Sequence, residues 1–196
     1  MPIKRIDEFP QASGTLSSDD LLLYLDDPSG ASITKNISVA DLKSLVGSKK
    51  FGSFYDTTTQ TNASTTGVNT LSYNTSVYNN GVSIVSGNRI SFTNSGIYNL
   101  QFSAQIEKTD GGDDRIDIWL SKTGVYEDWS NTTITLHQQD AKTVAAWNFV
   151  IPANPGEYYQ IHWSSADSNM RILAQSGLTS PARPNIPSVI LTVVEV

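Results

Sequence analysis

Four aspartates crowd one short stretch of the chain, KTDGGDDRID at 108–117. Carboxylates alternating around permissive glycines can wrap a hard cation, which makes Asp110, Asp113 and Asp114 candidate calcium ligands. The same residues also suit a solvated hairpin in which Gly111-Gly112 turns and the aspartates cap. No bidentate glutamate follows at the usual calcium-loop spacing. Nucleophilic chemistry has less to draw on. The two histidines, His137 and His162, stand 25 positions apart, no Gly-x-Ser-x-Gly elbow occurs, and cysteine is absent. His162, between Ile161 and Trp163, is expected to be a polar-face or interface residue. The expectation is a protein that is not an enzyme and carries no cofactor, with calcium as the one question.

Aromatic side chains are the other candidates. Trp119 alternates with Ile116, Ile118 and Leu120 and so falls on the opposite strand face, while Tyr126 and Trp129 sit in the polar segment GVYEDWSN at 124–131. Rings beside Asn, Asp and Ser suit stacking on a sugar with hydrogen bonds to its hydroxyls. They also suit ordinary packing against a partner.

Composition narrows the partners. The chain has 196 residues and a formal charge of −6, with 6 basic and 7 acidic side chains in residues 1–50 and 7 and 12 in residues 51–196. So few cations leave no electrostatic footprint for phosphates, so neither nucleic acid nor an anionic membrane is expected as a partner. No apolar run approaches ~20 residues, and the first thirty lack a basic start followed by an apolar stretch, so a soluble chain outside the usual export route is expected.

Residues 1–50 read differently from the rest. LLLYLDD (21–27), the turn DPSG (27–30) and ASITKNIS (31–38) predict a hairpin. SVADLKSLVG then predicts a short helix, with Ser38 as N-cap, Asp41 as a carboxylate variant of the capping box and Gly47 as the stop. So small a unit buries little apolar area and reads as a docking module.

From Phe51 the composition shifts to Thr, Ser, Asn and Gly. TTTQTNASTTG (57–67) fits either a low-complexity linker or an ordered loop or edge strand. Eight segments with strand patterning follow: GVSIV, RISFT, GIYNLQFSAQI, DRIDIWL, NTTITLH, TVAAWNFVI, EYYQIHW and PSVILTVVEV. Turn residues lie between them, which predicts an all-β sandwich or jelly roll over 51–196. In GIYNLQFSAQI, Tyr98, Leu100, Phe102, Ala104 and Ile106 share one face, and Asn99, Gln101, Ser103 and Gln105 the other. Two strands are apolar on both faces. Val144, Ala146 and Val150 oppose Ala145, Trp147, Phe149 and Ile151, while Ile190, Val194 and Val196 oppose Val189, Leu191 and Val193. A sandwich strand needs one apolar face, so the second calls for a cover, most simply an identical subunit.

Gly96-Ile97-Tyr98, IWLSKTG (118–124), VAAWNFVIPANPGEYYQIHW (144–163) and the closing PSVILTVVEV, in that order, resemble the globular C1q/TNF-like jelly roll. The variant most similar is that of bacteriophage virion proteins, and the N-terminal segment separately resembles the leading module of phage structural proteins. The resemblance implies a homotrimer on the exterior of a virion. Residues 1–50 would dock on capsid or tail proteins and 51–196 would form the displayed jelly-roll knob, as capsid decoration or a head fibre. It also implies an inner sheet built from 97–106, 144–151, 158–163 and 188–196. Asn99, Gln101, Val144, Ala146, Val150, Ile190 and Val194 would then meet the other subunits. The competing readings are a tail-associated receptor-binding protein that contacts a host-surface glycan through Trp119, Tyr126 and Trp129, and a non-viral C1q-like binding module.

Overall fold

The computed structural model describes residues 21–26, 33–47 and 49–196, and the chain divides into two compact units, Met1–Ser48 and Lys49–Val196. In the first, β1 (Leu21–Asp26) pairs antiparallel with β2 (Ile33–Ser38), from Leu21 opposite Ser38 to Asp26 opposite Ile33. The DPSG turn expected between them lies outside the described residues. Helix α1 (Val39–Val46) follows directly. Ser38 Oγ accepts from Asp41 N at 3.0 Å and donates to Asp41 Oδ2 at 2.6 Å, so the carboxylate returns to the hydroxyl where a full capping box would reach the backbone. Gly47, with φ +68°, ends the helix in the left-handed region that only glycine adopts without cost.

Strand is the one regular element in the second unit among the described residues. In chain order come β3 (Phe51–Asp56), β4 (Gln60–Thr61), β5 (Asn69–Thr70), β6 (Thr75–Asn80), β7 (Val82–Val85) and β8 (Arg89–Phe92). The long β9 (Gly96–Lys108) and β10 (Asp113–Lys122) follow, then β11 (Val125–Tyr126), β12 (Thr132–His137), β13 (Lys142–Ala153) and β14 (Tyr158–Ser164). β15 (Met170–Ile172), β16 (Leu178–Thr179), β17 (Ala182–Arg183) and β18 (Val189–Glu195) complete the unit.

These strands form two antiparallel sheets and a small hairpin, β16–β17. The front sheet runs β13-β9-β18-β3-β6, with β15 and β4 adding a second pair of strands beyond β18 and β3. In the back sheet β10 carries β11 and β12 on one edge and β14 on the other, and β14 leads through β8 to β7, with β5 also on its edge. Successive long strands alternate between sheets, which is jelly-roll connectivity. One expectation is corrected here: residues 158–163 belong to the back sheet, not to the sheet holding 97–106, 144–151 and 188–196. Alternation along EYYQIHW identifies the core side of the strand, and that pattern is the same in either sheet. The segment 57–67 is an ordered loop: Asn62 Nδ2 donates to Ser165 O (2.9 Å) and Asp167 O (2.8 Å), and Asn62 Oδ1 accepts from Asn69 Nδ2 (2.8 Å).

The core lies between the sheets. Tyr98, Leu100, Phe102, Ala104 and Ile106 of β9 face Ile116, Ile118 and Leu120 of β10 and Tyr159, Ile161 and Trp163 of β14, all of them buried. Phe92 packs on Tyr98 at 4.6 Å between ring centroids and edge-on against Tyr159 at 6.2 Å. Two of the buried phenols find backbone acceptors close by in sequence, Tyr98 Oη at Asn94 O (3.0 Å) and Tyr159 Oη at Pro152 O (2.7 Å), whereas the Tyr73 hydroxyl is enclosed without a partner. Tyr98 and Tyr159 therefore add apolar area without stranding their hydroxyls.

Candidate functional site

The outward face of the front sheet is ordered by strand register. Val150, Asn99, Val194 and Phe51 form one row across β13, β9, β18 and β3; Asn148, Gln101, Thr192 and Ser53 form the next; Ala146, Ser103, Ile190 and Tyr55 form the third. No residue in these rows is charged. The valines and isoleucine stand in solvent, with Val144 50%, Val150 56%, Ile190 42% and Val194 42% exposed. Single exposed apolar residues need no explanation, but aligned rows without charge mark a surface built for contact. All seven residues expected to meet another subunit share this face. Asn99 already accepts from Asn148 Nδ2 within the chain (2.9 Å), whereas Gln101 is exposed.

Charge returns at the margin of that face. Glu107, 5% exposed, sits between Lys142 and Arg171 on the neighbouring strands. Its Oε1 lies 2.6 Å from Lys142 Nζ, and its Oε2 accepts from Arg171 Nε at 2.6 Å and pairs with Nη2. Burial pushes the Glu107 carboxyl up, but the hydrogen bonds and charges of the two cations outweigh it and hold the group below the ordinary carboxylate range.

At the β9–β10 turn the structure separates the three candidate calcium ligands. Asp113 pairs with His137 Nδ1 (2.8 Å) on β12. Asp110 and Asp114 turn inward and meet Asp167, the three carboxylates lying within 4.8 Å of one another. A cation already stands beside them, and it is covalent. Lys108, fully buried, places Nζ 2.7 Å from Asp114 Oδ2, 3.9 Å from Asp110 Oδ1 and 2.9 Å from Gly111 O, with a further bond to Gly112 O. Burial disfavours that charge, yet Asp114, assisted by Asp110 and Asp167, raises the ammonium's pKa above the ordinary lysine value. The loop thus supplies carboxylates and carbonyls, as a calcium loop would. In this chain they surround the lysine head group.

The three aromatic candidates do not form one patch. Trp119 and Tyr126 meet edge-on at 5.6 Å on the outward face of the back sheet, and both lie against the His162 ring, at 6.0 and 5.4 Å. Trp119 Nε1 is enclosed there, out of reach of a sugar hydroxyl. Trp129, 60% exposed, is elsewhere: it packs on Phe149 of the front sheet at 5.8 Å and donates Nε1 to Glu127 Oε2 (3.0 Å). It covers the seam where Phe102, Trp147 and Phe149 cluster at the edge of the sandwich.

Sequence reading missed a hydroxyl–imidazole chain beneath Tyr126. His162 is 8% exposed, with Nε2 2.8 Å from Ser121 Oγ and Nδ1 3.0 Å from Thr70 Oγ1. Desolvation lowers its pKa, so the ring is held neutral. A serine beside a histidine invites comparison with a nucleophile and its base, but Ser121 is wholly buried and the far ring nitrogen meets a threonine hydroxyl in place of a carboxylate. The arrangement satisfies buried polar groups on a covered outer face. Strand pairing brings it together, since Trp119 lies opposite His162 and His162 opposite Thr70.

No protein-family model matches the chain, and no curated protein matches it. Among solved structures it is similar to murine APRIL, crystallised at pH 5.0, with 10% identity and a TM-score of 0.47 over 76% of this chain and all of that one. The likeness extends to the fold alone.

Proposed function

We propose that this chain is a structural, non-enzymatic component of a phage virion exterior. In this reading Lys49–Val196 assembles as a homotrimeric jelly-roll knob, and the N-terminal unit docks it on the particle. The observation that carries the assembly is the uncharged outward face of the front sheet, where Val150 and Val194 share one row, Ile190 and Val144 stand in others, and all four stay exposed in a single chain. An uncharged apolar face turned toward a three-fold axis is what a closed ring of identical subunits can bury, through the same heterologous contact repeated around the ring. The docking role rests on the small hairpin-and-helix unit and on the resemblance of its sequence to phage leading modules.

Size-exclusion chromatography with light scattering on the full chain is expected to give the mass of three copies, and a single-chain mass would overturn the trimer. Mass spectrometry of purified particles is expected to find the chain in many copies, and its absence would overturn the virion assignment. A chain lacking residues 1–50 is expected to keep its association and lose the particle. Three linked modules raise avidity by ~10²–10⁴ over one, so a monomeric variant should dock weakly.

A further inference from the structure

Between β15 and β18 the chain leaves the front sheet as an arm. Leu173 N donates to Gln105 O (2.6 Å) and Gln105 N to Ser188 O (2.8 Å), so both legs are anchored on one residue of β9. Further out Gln175 and Ile186 exchange backbone bonds of 2.9 and 2.8 Å, and β16 pairs with β17. Gly177 lies so close to the opposite leg that a Cβ would stand 2.8 Å from Arg183 O, so a side chain there would force the legs apart.

Between this arm and the end of β3 lies an open cleft of about 480 Å³. Tyr55, Thr57 and Thr59 form one wall, and Gln175, Ser176 and Asn185 the other, with Pro184 and Pro187 beside them. Both walls are braced from behind. Asp56, 2% exposed, accepts from Thr58 N (2.7 Å), Thr58 Oγ1 (2.5 Å), Ser72 Oγ (3.0 Å) and Asn74 Nδ2 (3.2 Å), which fixes the loop after β3. Thr59 Oγ1 accepts from Ala174 N at 3.0 Å and ties the walls together. On the arm, Asn185 Oδ1 accepts from Gly177 N (2.6 Å) and Gln175 Oε1 from Arg183 Nη2 (3.3 Å). Each amide thus spends its oxygen on the scaffold. Among the described residues nothing partners Asn185 Nδ2, Gln175 Nε2, Ser176 Oγ or the Tyr55 hydroxyl.

We propose that this cleft binds a neutral glycan built of hexose units. Clefts of roughly 300–1,000 Å³ with a few placed polar groups are the size that takes small ligands. No charged side chain lines this one, and the nearby Arg183 guanidinium is engaged by Gln175 Oε1 and Pro184 O (both 3.3 Å), so a phosphate, a sulfate or an acidic sugar would enter without a counter-ion in the lining, on a chain already carrying −6. An apolar ligand would strand the unpartnered amide and hydroxyl donors. A neutral sugar answers both demands: its hydroxyls accept from the two amides and Ser176, and its C–H face rests on the Tyr55 ring and the prolines. The inference goes beyond the virion reading, and both walls belong to one chain; Tyr55 also stands at the end of the third row of the outward face, so association through that face and sugar binding would share this ring.

Saturation-transfer NMR and calorimetry on the full chain, with maltose, lactose and di-N-acetylchitobiose as probes and sialyllactose as the charged comparison, test it. Binding of at least one neutral disaccharide is expected, at millimolar affinity or tighter. Asn185→Asp and Gln175→Glu keep the oxygens that brace the arm and replace each amide donor with a charged acceptor. Each should weaken that binding about tenfold, with melting temperature and light-scattering mass unchanged. Absence of binding by all three neutral sugars, binding indifferent to both substitutions, or preference for sialyllactose would each overturn the proposal. The mass measured in parallel reports on the trimer separately, so failure of one reading is distinguishable from failure of the other.

Discussion

The two sheets of the sandwich share a core and differ in what they show outside it. Outward positions of the front sheet are valine, isoleucine, asparagine, glutamine and serine, uncharged and open. Those of the back sheet include Asp117, Trp119, Ser121 and His162, which are hydrogen-bonded or stacked among themselves and with Thr133 and Tyr126. On the back face the hydroxyls, the imidazole and Asp117 are paired within the chain, and Trp119 Nε1 alone of these groups is enclosed without a partner. The front face sets its exposed apolar side chains among uncharged neighbours, and it is this face that the proposed assembly would bury.

Breaking the front face should have the largest effect. Ile190→Asp puts a carboxylate at the centre of the third row, where association would bury it unpaired at a cost of several kcal/mol. Because Ile190 is 42% exposed in one chain, the isolated fold should survive: light scattering should drop to one chain while circular dichroism stays unchanged. Loss of both would mean that the residue supports the fold and not the assembly.

Acid titration should then separate the faces. Glu107, with a folded pKa held below its ordinary 4.5, contributes stability that is complete above that value and is lost as pH falls through the lowered one. Glu107→Gln should cost about 1–2 kcal/mol near neutral pH, the charged hydrogen bonds being discounted for two half-exposed cations, and should flatten this acid limb. His162 acts at higher pH. Its folded pKa lies below the ordinary 6.5, so stability begins to fall once pH drops under that value, as the unfolded chain takes up the proton first. Chemical denaturation between neutrality and pH 5 should show that slope in the native chain and not in His162→Gln. A slope that persists would place the titrating group elsewhere.

The smallest effect should come from the seam between the faces. Trp129→Ala removes one edge-on ring contact with Phe149 and should cost about 1 kcal/mol or less in thermal melts, with association unchanged. A larger loss would show that the ring closes the sandwich.

Much of this was legible in advance, for reasons that can be named. Alternation along 98–106 identified the core side of β9 because a strand has only two faces, and Ser38, Asp41 and Gly47 bounded α1 through local chemistry. Which sheet takes a strand is a matter of connection, so EYYQIHW was put in the wrong one. β6 (TSVYNN) passed unnoticed because its residues are mostly half-buried or exposed and carry no apolar alternation. The cleft beside the arm was invisible for a deeper reason: Tyr55 and Asn185 are 130 positions apart, and only the pairing of β3 with β18 brings their neighbourhoods together. The lysine among the aspartates was in plain view at 108, but its side chain had to be seen folding back.

The place of β18 bears on how the molecule is made. It lies between β9 and β3, pairing Leu191 with Phe102 on one edge and with Phe54 on the other. Until residues 189–195 have left the ribosome, the β9–β13 ladder and the β3–β6 ladder share no edge, and each keeps an open row of backbone groups facing where the missing strand will go. Closure over so long a stretch of chain is slow by the standards of local contacts, and open strand edges invite foreign pairing while they wait. β18 thus follows, in chain order, both of the strands that it joins.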